Sequence, residues 1–281
     1  MSLQITSLNS GSNGNCYYVG NSTEAILIDI GITCKEVEKR MIHLRLDINI
    51  LKAVFVSHEH TDHIKGVAGF ANKYNLPVFM TSATWKNSGI LVRPELVKLL
   101  LSEIPTNIGN LSITGFPKFH DAIDPHSFII SQNKTTVGVF TDIGRCCDRV
   151  KKYFKLCNAA FLESNYDEEL LENGRYPYFL KNRIRGGKGH LSNNEAYEIF
   201  HNNRSAKLSH LLLSHLSKEN NCPVKAKNTF MNTDHGVQII IASRFAATEV
   251  YNIPFENASF SSTVFSTRNS SQPKLVQLSI F

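Results

Sequence analysis

The sequence predicts an α/β fold of mixed β-sheets with helices on the outside. Three observations carry this. The chain has 281 residues, 42% hydrophobic and 19% charged, enough for one large domain with an ample core. Apolar strand-like runs alternate with helical runs along most of its length. The first three strands instead follow one another as a meander, so antiparallel and parallel pairing must mix.

Residues 4–8 alternate apolar side chains and read as a strand. Asn9-Ser10-Gly11-Ser12-Asn13-Gly14-Asn15 is a turn-rich loop, and 16–19 resumes a strand. Ala25-Ile26-Leu27-Ile28-Asp29 is the third strand. Residues 34–46 have helical character, with Thr33 as N-cap. A strand at 53–57, a helix at 62–74 and a strand at 78–80 follow. Residues 83–88 and 95–101 look helical. Strands are expected at 111–116, 127–131 and 136–140, then a helix at 145–155 and a buried strand at 159–163. Helix 193–201, strand 208–214, helix 224–231 and strand 237–242 close the series. Residues 1–256 thus form one domain. Residues 257–281, rich in Ser, Thr and Asn until Gln272, are expected as a loose tail.

The densest chemistry stands at one strand exit, Ser57-His58-Glu59-His60-Thr61-Asp62-His63, after Leu51-Lys52-Ala53-Val54-Phe55-Val56. Imidazole and carboxylate suit zinc, manganese and iron. Packing gives no reason to gather them at one strand end. His58 and His60 alternate out of the strand, while Asp62 and His63 open a helix, where adjacent side chains diverge by about 100°. The motif should split into two pairs facing different ways, which suits two metals. His120, Asp142 and His215 also follow apolar strands. A two-metal site needs about that many further ligands.

The chain resembles the metallo-β-lactamase superfamily. The signature H-x-H-x-D-H stands here as His58-Glu59-His60-Thr61-Asp62-His63, with His120, Asp142 and His215 following in the expected order. The resemblance runs over about 3–253. It implies a four-layer αββα sandwich with two mixed β-sheets and the metal site at one edge. Ser7-Leu8-Asn9-Ser10-Gly11-Ser12-Asn13-Gly14-Asn15-Cys16, Phe119-His120-Asp121-Ala122-Ile123-Asp124-Pro125 and Gly189-His190-Leu191-Ser192-Asn193 are similar to the YycJ/WalJ branch, which is associated with DNA exonucleases. Glu163, in Phe161-Leu162-Glu163-Ser164-Asn165, together with His190 is similar to ribonuclease Z, where a Glu orients a His that helps protonate the leaving oxygen.

The resemblance implies that His58, His60 and His120 hold one divalent ion, that Asp62, His63 and His215 hold another, and that Asp142 bridges them. A water shared by two such ions is acidified toward neutrality, and the same charge neutralises the phosphorane-like transition state. Asp62, His190 and Glu163 are the implied catalytic residues. Five imidazoles, those of His58, His60, His63, His120 and His215, favour zinc, while manganese also serves nucleases. Ser192-Asn193-Asn194-Glu195 also reads as a plain capping box, so Gly189–Ser192 fits a mere helix start as well.

For substrate, Lys181, Arg183, Arg185 and Lys188 read as a basic loop suited to phosphates. Asn13 and Asn15 sit in the first loop, where backbone N–H groups can meet a phosphate or merely make turns. Tyr176, Tyr178 and Phe179 suit either base stacking or core, core being the commoner use. The net charge of +6 permits a polyanionic partner, and DNA is favoured over RNA because no long arm for gripping tRNA is visible. Gln277-Leu278-Ser279-Ile280-Phe281 is similar to the short bacterial sliding-clamp-binding peptide, or else packs as an edge strand. Acyl hydrolysis (a lactonase or thioesterase), ribonuclease Z-like RNA processing and a clamp-tethered adaptor are the competing readings. Met1-Ser2-Leu3-Gln4-Ile5 has no secretory pattern, no run has membrane-spanning length, and six cysteines lack any C-x-x-C pair. A cytoplasmic protein with reduced thiols and no membrane contact is expected.

Overall fold

Antiparallel pairing at the start and parallel pairing afterwards build the first sheet. The computed structural model describes residues 2–231 and 236–255. The meander is β1 (Ser2–Asn9), β2 (Cys16–Gly20) and β3 (Ala25–Ile28). Helix α1 (Cys34–His43) is capped by the Thr33 hydroxyl, which accepts from Glu36 N. Then come β4 (Leu51–Phe55), α2 (Thr61–Ile64), α3 (Val67–Tyr74), β5 (Val78–Met80), α4 (Ser82–Ser88) and β6 (Val97–Leu99). The second half holds β7 (Thr106–Ile108), β8 (Leu111–Pro117), β9 (His126–Gln132), β10 (Thr135–Phe140), α5 (Asp148–Phe154), β11 (Ala159–Glu163), α6 (Glu168–Asn173), α7 (Tyr178–Arg185) and α8 (Asn193–Asn203). It ends with β12 (His210–Ser214), α9 (Pro223–Met231), β13 (Gln238–Ile241) and β14 (Tyr251–Pro254).

Among the described residues the strands form two seven-stranded sheets, ordered β14-β1-β2-β3-β4-β5-β6 and β13-β12-β11-β10-β9-β8-β7. Both are mixed, and their inner faces share one apolar layer that includes Ile5, Tyr17, Phe55, Phe128 and Phe161. Val37, Met41 and Phe70 of α1 and α3 pack on the outer face of the first sheet. Val150, Phe154, Phe200 and Phe230 of α5, α8 and α9 cover that of the second. These are the four layers of an αββα sandwich. Burial of each such aromatic contributes roughly 1.5–3 kcal/mol.

Strand direction positions the site. Strands β10, β11 and β12 run parallel and in register, Phe140 beside Leu162 and Leu162 beside Leu213. Their carboxyl ends therefore present Asp142, Glu163 and His215 side by side. In the other sheet the parallel pair β3–β4 presents Asp29 next to the histidine motif, with Asp29 N donating to Phe55 O at 2.8 Å. Asp29, Asp142 and His215 all have positive φ, 58°, 54° and 56°. Asp and His tolerate this left-handed turn better than most side chains. It ends each strand abruptly and concentrates strain where function is expected.

Several elements differ from expectation. The single helix expected over 62–74 divides at Gly66, whose N–H donates to Ile30 O at 2.7 Å. A side chain there would lie 1.9 Å from Ile32 O, and one at Gly31 would lie 1.7 Å from Asp62 O. Both glycines permit the close approach of the histidine motif to the β3 exit. Residues 95–101 are not a helix: Pro94–Leu96 makes one tight turn and β6 then pairs parallel with β5. Three-residue strands such as β6 and β7 are too short for periodicity to mark. The expected basic loop is helix α7 with a following turn, and α6 and β14 were not anticipated. The tail 257–281, including Gln277, Leu278, Ser279, Ile280 and Phe281, lies outside the described residues. No helix among the described residues is long and apolar enough to cross a membrane.

Candidate metal centre

Imidazoles and carboxylates from both sheets converge at the strand exits. His58, His60 and His120 form one set, and Asp62, His63 and His215 form another. Within each set the ligand atoms lie within 4.8 Å of one another. Asp142 stands between the sets, with Oδ2 at 3.1 Å from His63 Nε2 and Oδ1 at 3.5 Å from His215 Nδ1 and 3.8 Å from His120 Nε2. A cavity of about 320 Å³ opens over them.

The first set brings three ring nitrogens together. His120 Nδ1 lies 3.0 Å from Gly189 O, so it carries the proton and donates, leaving Nε2 bare. His120 Nε2 and His58 Nε2 lie 3.3 Å and 3.1 Å from the same atom, His60 Nδ1. Three ring nitrogens cannot all share protons across those gaps. Burial drives the His58 imidazole well below its ordinary pKa, and His63 and Lys118 add to this. Burial likewise carries His120 down to about 4. Neutral imidazoles such as those of His58 and His120 are what a divalent cation requires of its ligands.

The second set carries more carboxylate. Burial opposes charge on His63, but Asp142, Asp29 and Asp62 outweigh it and raise its pKa to about 10. His215 is raised in the same way by Asp142, Asp62 and Glu163. This side therefore demands positive charge, which protons or a divalent ion can supply. Asp142 is held well below the usual carboxylate range by His215, His63 and His120 despite its burial. Its buried Oδ2 has no hydrogen-bond partner, although His63 lies close. A buried carboxylate oxygen left open, beside bare imidazole nitrogens, fits a cation-binding centre.

The surroundings fix these ligands, and sequence reasoning missed much of this. Asp29 Oδ2 accepts from His63 Nδ1 at 2.7 Å and from Ser57 Oγ at 2.7 Å, while Oδ1 accepts from Ser57 N. Asp29 ends an apolar strand just as Asp142 does, so the same signal was available. Asn15 is fully buried, and its amide lies 3.2 Å from Asp62 Oδ2 and 3.0 Å from His63 Nε2. Lys118 is buried too and donates to Thr141 O at 2.6 Å, bracing the turn into Asp142. Burial lowers its ammonium below the usual range.

Glu163 is fully buried at the β11 exit. Its Oε1 lies 2.8 Å from His190 Nδ1 and 3.1 Å from His215 Nδ1, and its Oε2 accepts from Ile143 N at 2.7 Å. Burial works against its charge, yet His190 and His215 hold its pKa at about 2. It therefore orients a ligand candidate as well as His190. The capping box at Ser192 and Glu195 forms as well, so His190 sits both at a helix start and against Glu163.

The other candidate contacts are dispersed. Arg183, Tyr176, Leu180 and Ile184 line the cavity. Arg183 is paired with Asp121 at 2.5 Å, Arg185 with Glu172 at 2.6 Å, and Lys181 donates to Glu172 O. Lys188 is exposed and does not line the cavity. Tyr178 and Phe179 are not core; they are 71% and 73% exposed. Asn13 is exposed and donates to Arg244 O at 2.8 Å.

Residues 10–99 match the family model of the metallo-β-lactamase superfamily. The chain is 36% identical over 225 residues to exodeoxyribonuclease YycJ of Bacillus anthracis, covering 79% of this chain and 85% of that protein. It is 31% identical over 230 residues to exodeoxyribonuclease WalJ of Streptococcus pneumoniae, covering 80% and 86%. Its fold matches the metallo-β-lactamase fold protein YhfI of Bacillus subtilis with a TM-score of 0.70 at 17% identity, over 89% of this chain and all of the other. The chain belongs to the metallo-β-lactamase superfamily of hydrolases, within the family of YycJ and WalJ.

Proposed function

We propose that this protein is a two-metal phosphodiesterase that shortens DNA from an end. The observation that carries the reading is the pairing of two candidate ligand sets around Asp142 with a cavity-lining His190 backed by buried Glu163. The exodeoxyribonuclease names of the relatives support DNA as the substrate. His58, His60 and His120 would hold one ion and Asp62, His63 and His215 the other, with Asp142 between them. When bound, two divalent ions such as zinc or manganese acidify a water and neutralise phosphate charge.

The remaining chemistry belongs to side chains. His190 donates its Nδ1 proton to Glu163, which turns Nε2 toward the cavity. In its protonated form His190 delivers the Nε2 proton to the leaving oxygen, while buried Glu163 stabilises the imidazolium. Asp62 faces the same cavity and can accept a hydrogen bond from the attacking water. Six unpaired cysteines fit a reducing cytoplasmic setting.

Incubating the full chain with zinc or manganese and end-labelled linear DNA should give stepwise shortening. Closed circular DNA should persist. Equal cutting of both forms, or loss of RNA alone, would overturn the reading. His190→Gln should keep its metal and lose about 10²–10⁴-fold in kcat; unchanged turnover would remove His190 from the mechanism.

A further inference from the structure

A second cavity of about 370 Å³ adjoins the metal centre, and Ser217 lines both. Its walls are the β12–α9 turn, with Leu216, Ser217 and Lys218, and the segment after β13, with Arg244 and Phe245. The two are tied to the metal site by Ser10, which lines this cavity, accepts from His215 N at 2.7 Å and donates its own N–H to Ser243 O at 3.1 Å.

Phe245 is 76% exposed. Its backbone is nevertheless anchored, since its N–H donates to Ser243 Oγ at 3.0 Å and its carbonyl accepts from Arg40 at 3.2 Å. A fixed backbone that holds an aromatic ring in water leaves a flat apolar face without a partner among the described residues. Arg244 donates to Ser12 Oγ at 3.1 Å, and Ser12 lines the metal cavity. Its partners are neutral, and among the described residues it meets no carboxylate. Among the described residues Lys218 pairs only with Glu219, at 3.8 Å and in solvent, where such a pair counts for little. The cavity-lining cation of α7, Arg183, is by contrast already matched with Asp121. Beyond Ser12 and Ser217, an arginine that meets no carboxylate among the described residues and an exposed ring therefore lie together beside the metal cavity.

We infer that this second cavity is the strand-holding subsite for single-stranded DNA, with a base stacked on Phe245 and backbone phosphates beside Arg244 and Lys218. Alternating cation and aromatic contacts of this kind hold single strands without reading sequence. The inference rests on the nuclease reading above.

Steady-state kinetics of the metal-loaded full chain on labelled single-stranded DNA test it. Phe245→Ala should raise KM about tenfold, the loss of one stacked base, with the change in KM rather than kcat, and Phe245→Trp should restore it. Arg244→Gln should reduce the slope of log KM against log salt by about 0.7, the share of one phosphate on a single strand. Leu91→Ala, which removes a side chain 85% exposed and outside both cavities, is the control. Wild-type KM and salt slope in both variants, or no rescue by Trp, overturn the subsite. A wild-type protein inert on DNA instead sinks the nuclease reading, and the subsite with it.

Discussion

At and beneath the floor of the cavity, Asp142 and His63 are buried and each meets several charged neighbours, whereas on α7 Arg183 and Arg185 reach into solvent and each meets one carboxylate among the described residues. The same charges therefore have different consequences. On the floor, little water screens Asp29, Asp62 and Asp142, and they move the pKa of His63 up to about 10. On the wall, water screens the pairs, which contribute roughly 0–1 kcal/mol each. Chemistry is concentrated where backbone exits are locked, and the wall is electrically almost settled.

Removing the pivot of the floor should have the largest effect. Asp142→Ala leaves both ligand sets without their shared carboxylate, and metal content by elemental analysis and hydrolysis should both fall far. The loss should exceed the roughly 10–100-fold that follows removal of a residue that merely orients a ligand. Retention of full metal and activity would erase the distinction between floor and wall.

An orienting residue sharpens the comparison at an intermediate scale. Asp29→Asn keeps the shape beside His63 but removes the carboxylate that holds its Nδ1 proton. Metal affinity, titrated against a competing chelator, should fall about 10–100-fold. An unchanged affinity would mean that Ser57 and the backbone alone aim the ring.

The wall should give the smallest effect. Arg183→Ala removes a cation already matched by Asp121, so KM for DNA should rise less than about fivefold, the ceiling of an exposed ion pair. A larger loss would show that α7 grips the strand and that floor and wall do not differ in this way.

Much of the fold was legible because periodicity and turn chemistry are local. Thr33 and the meander of β1–β3 stand where expected, and the two mixed sheets follow. Residues 95–101 were misread because a short edge strand owes its existence to β5, not to its own pattern. The break at Gly66 was invisible for a similar reason, since Ile32, thirty-four positions earlier, sets it. At the site, strand-exit logic reached His120, Asp142 and His215 but passed over Asp29. Asn15, expected either to offer its backbone N–H to a phosphate or merely to make a turn, gives that N–H to Asp62 O at 2.7 Å and sets its amide against Asp62 and His63.

By itself the sequence determined the candidate ligand types, their place at strand ends and mixed sheets with helices outside, because strand alternation and the chemistry of His and Asp are properties of short segments, while the αββα layering was what the family resemblance implied. Only the tertiary structure decided which ligands face one another, that Asp29 and Asn15 orient them, and that Arg183 is matched while Arg244 meets no carboxylate among the described residues. Those outcomes depend on distances between side chains far apart in the chain, and Coulomb and hydrogen-bond energies are set by distance and burial rather than by position in sequence.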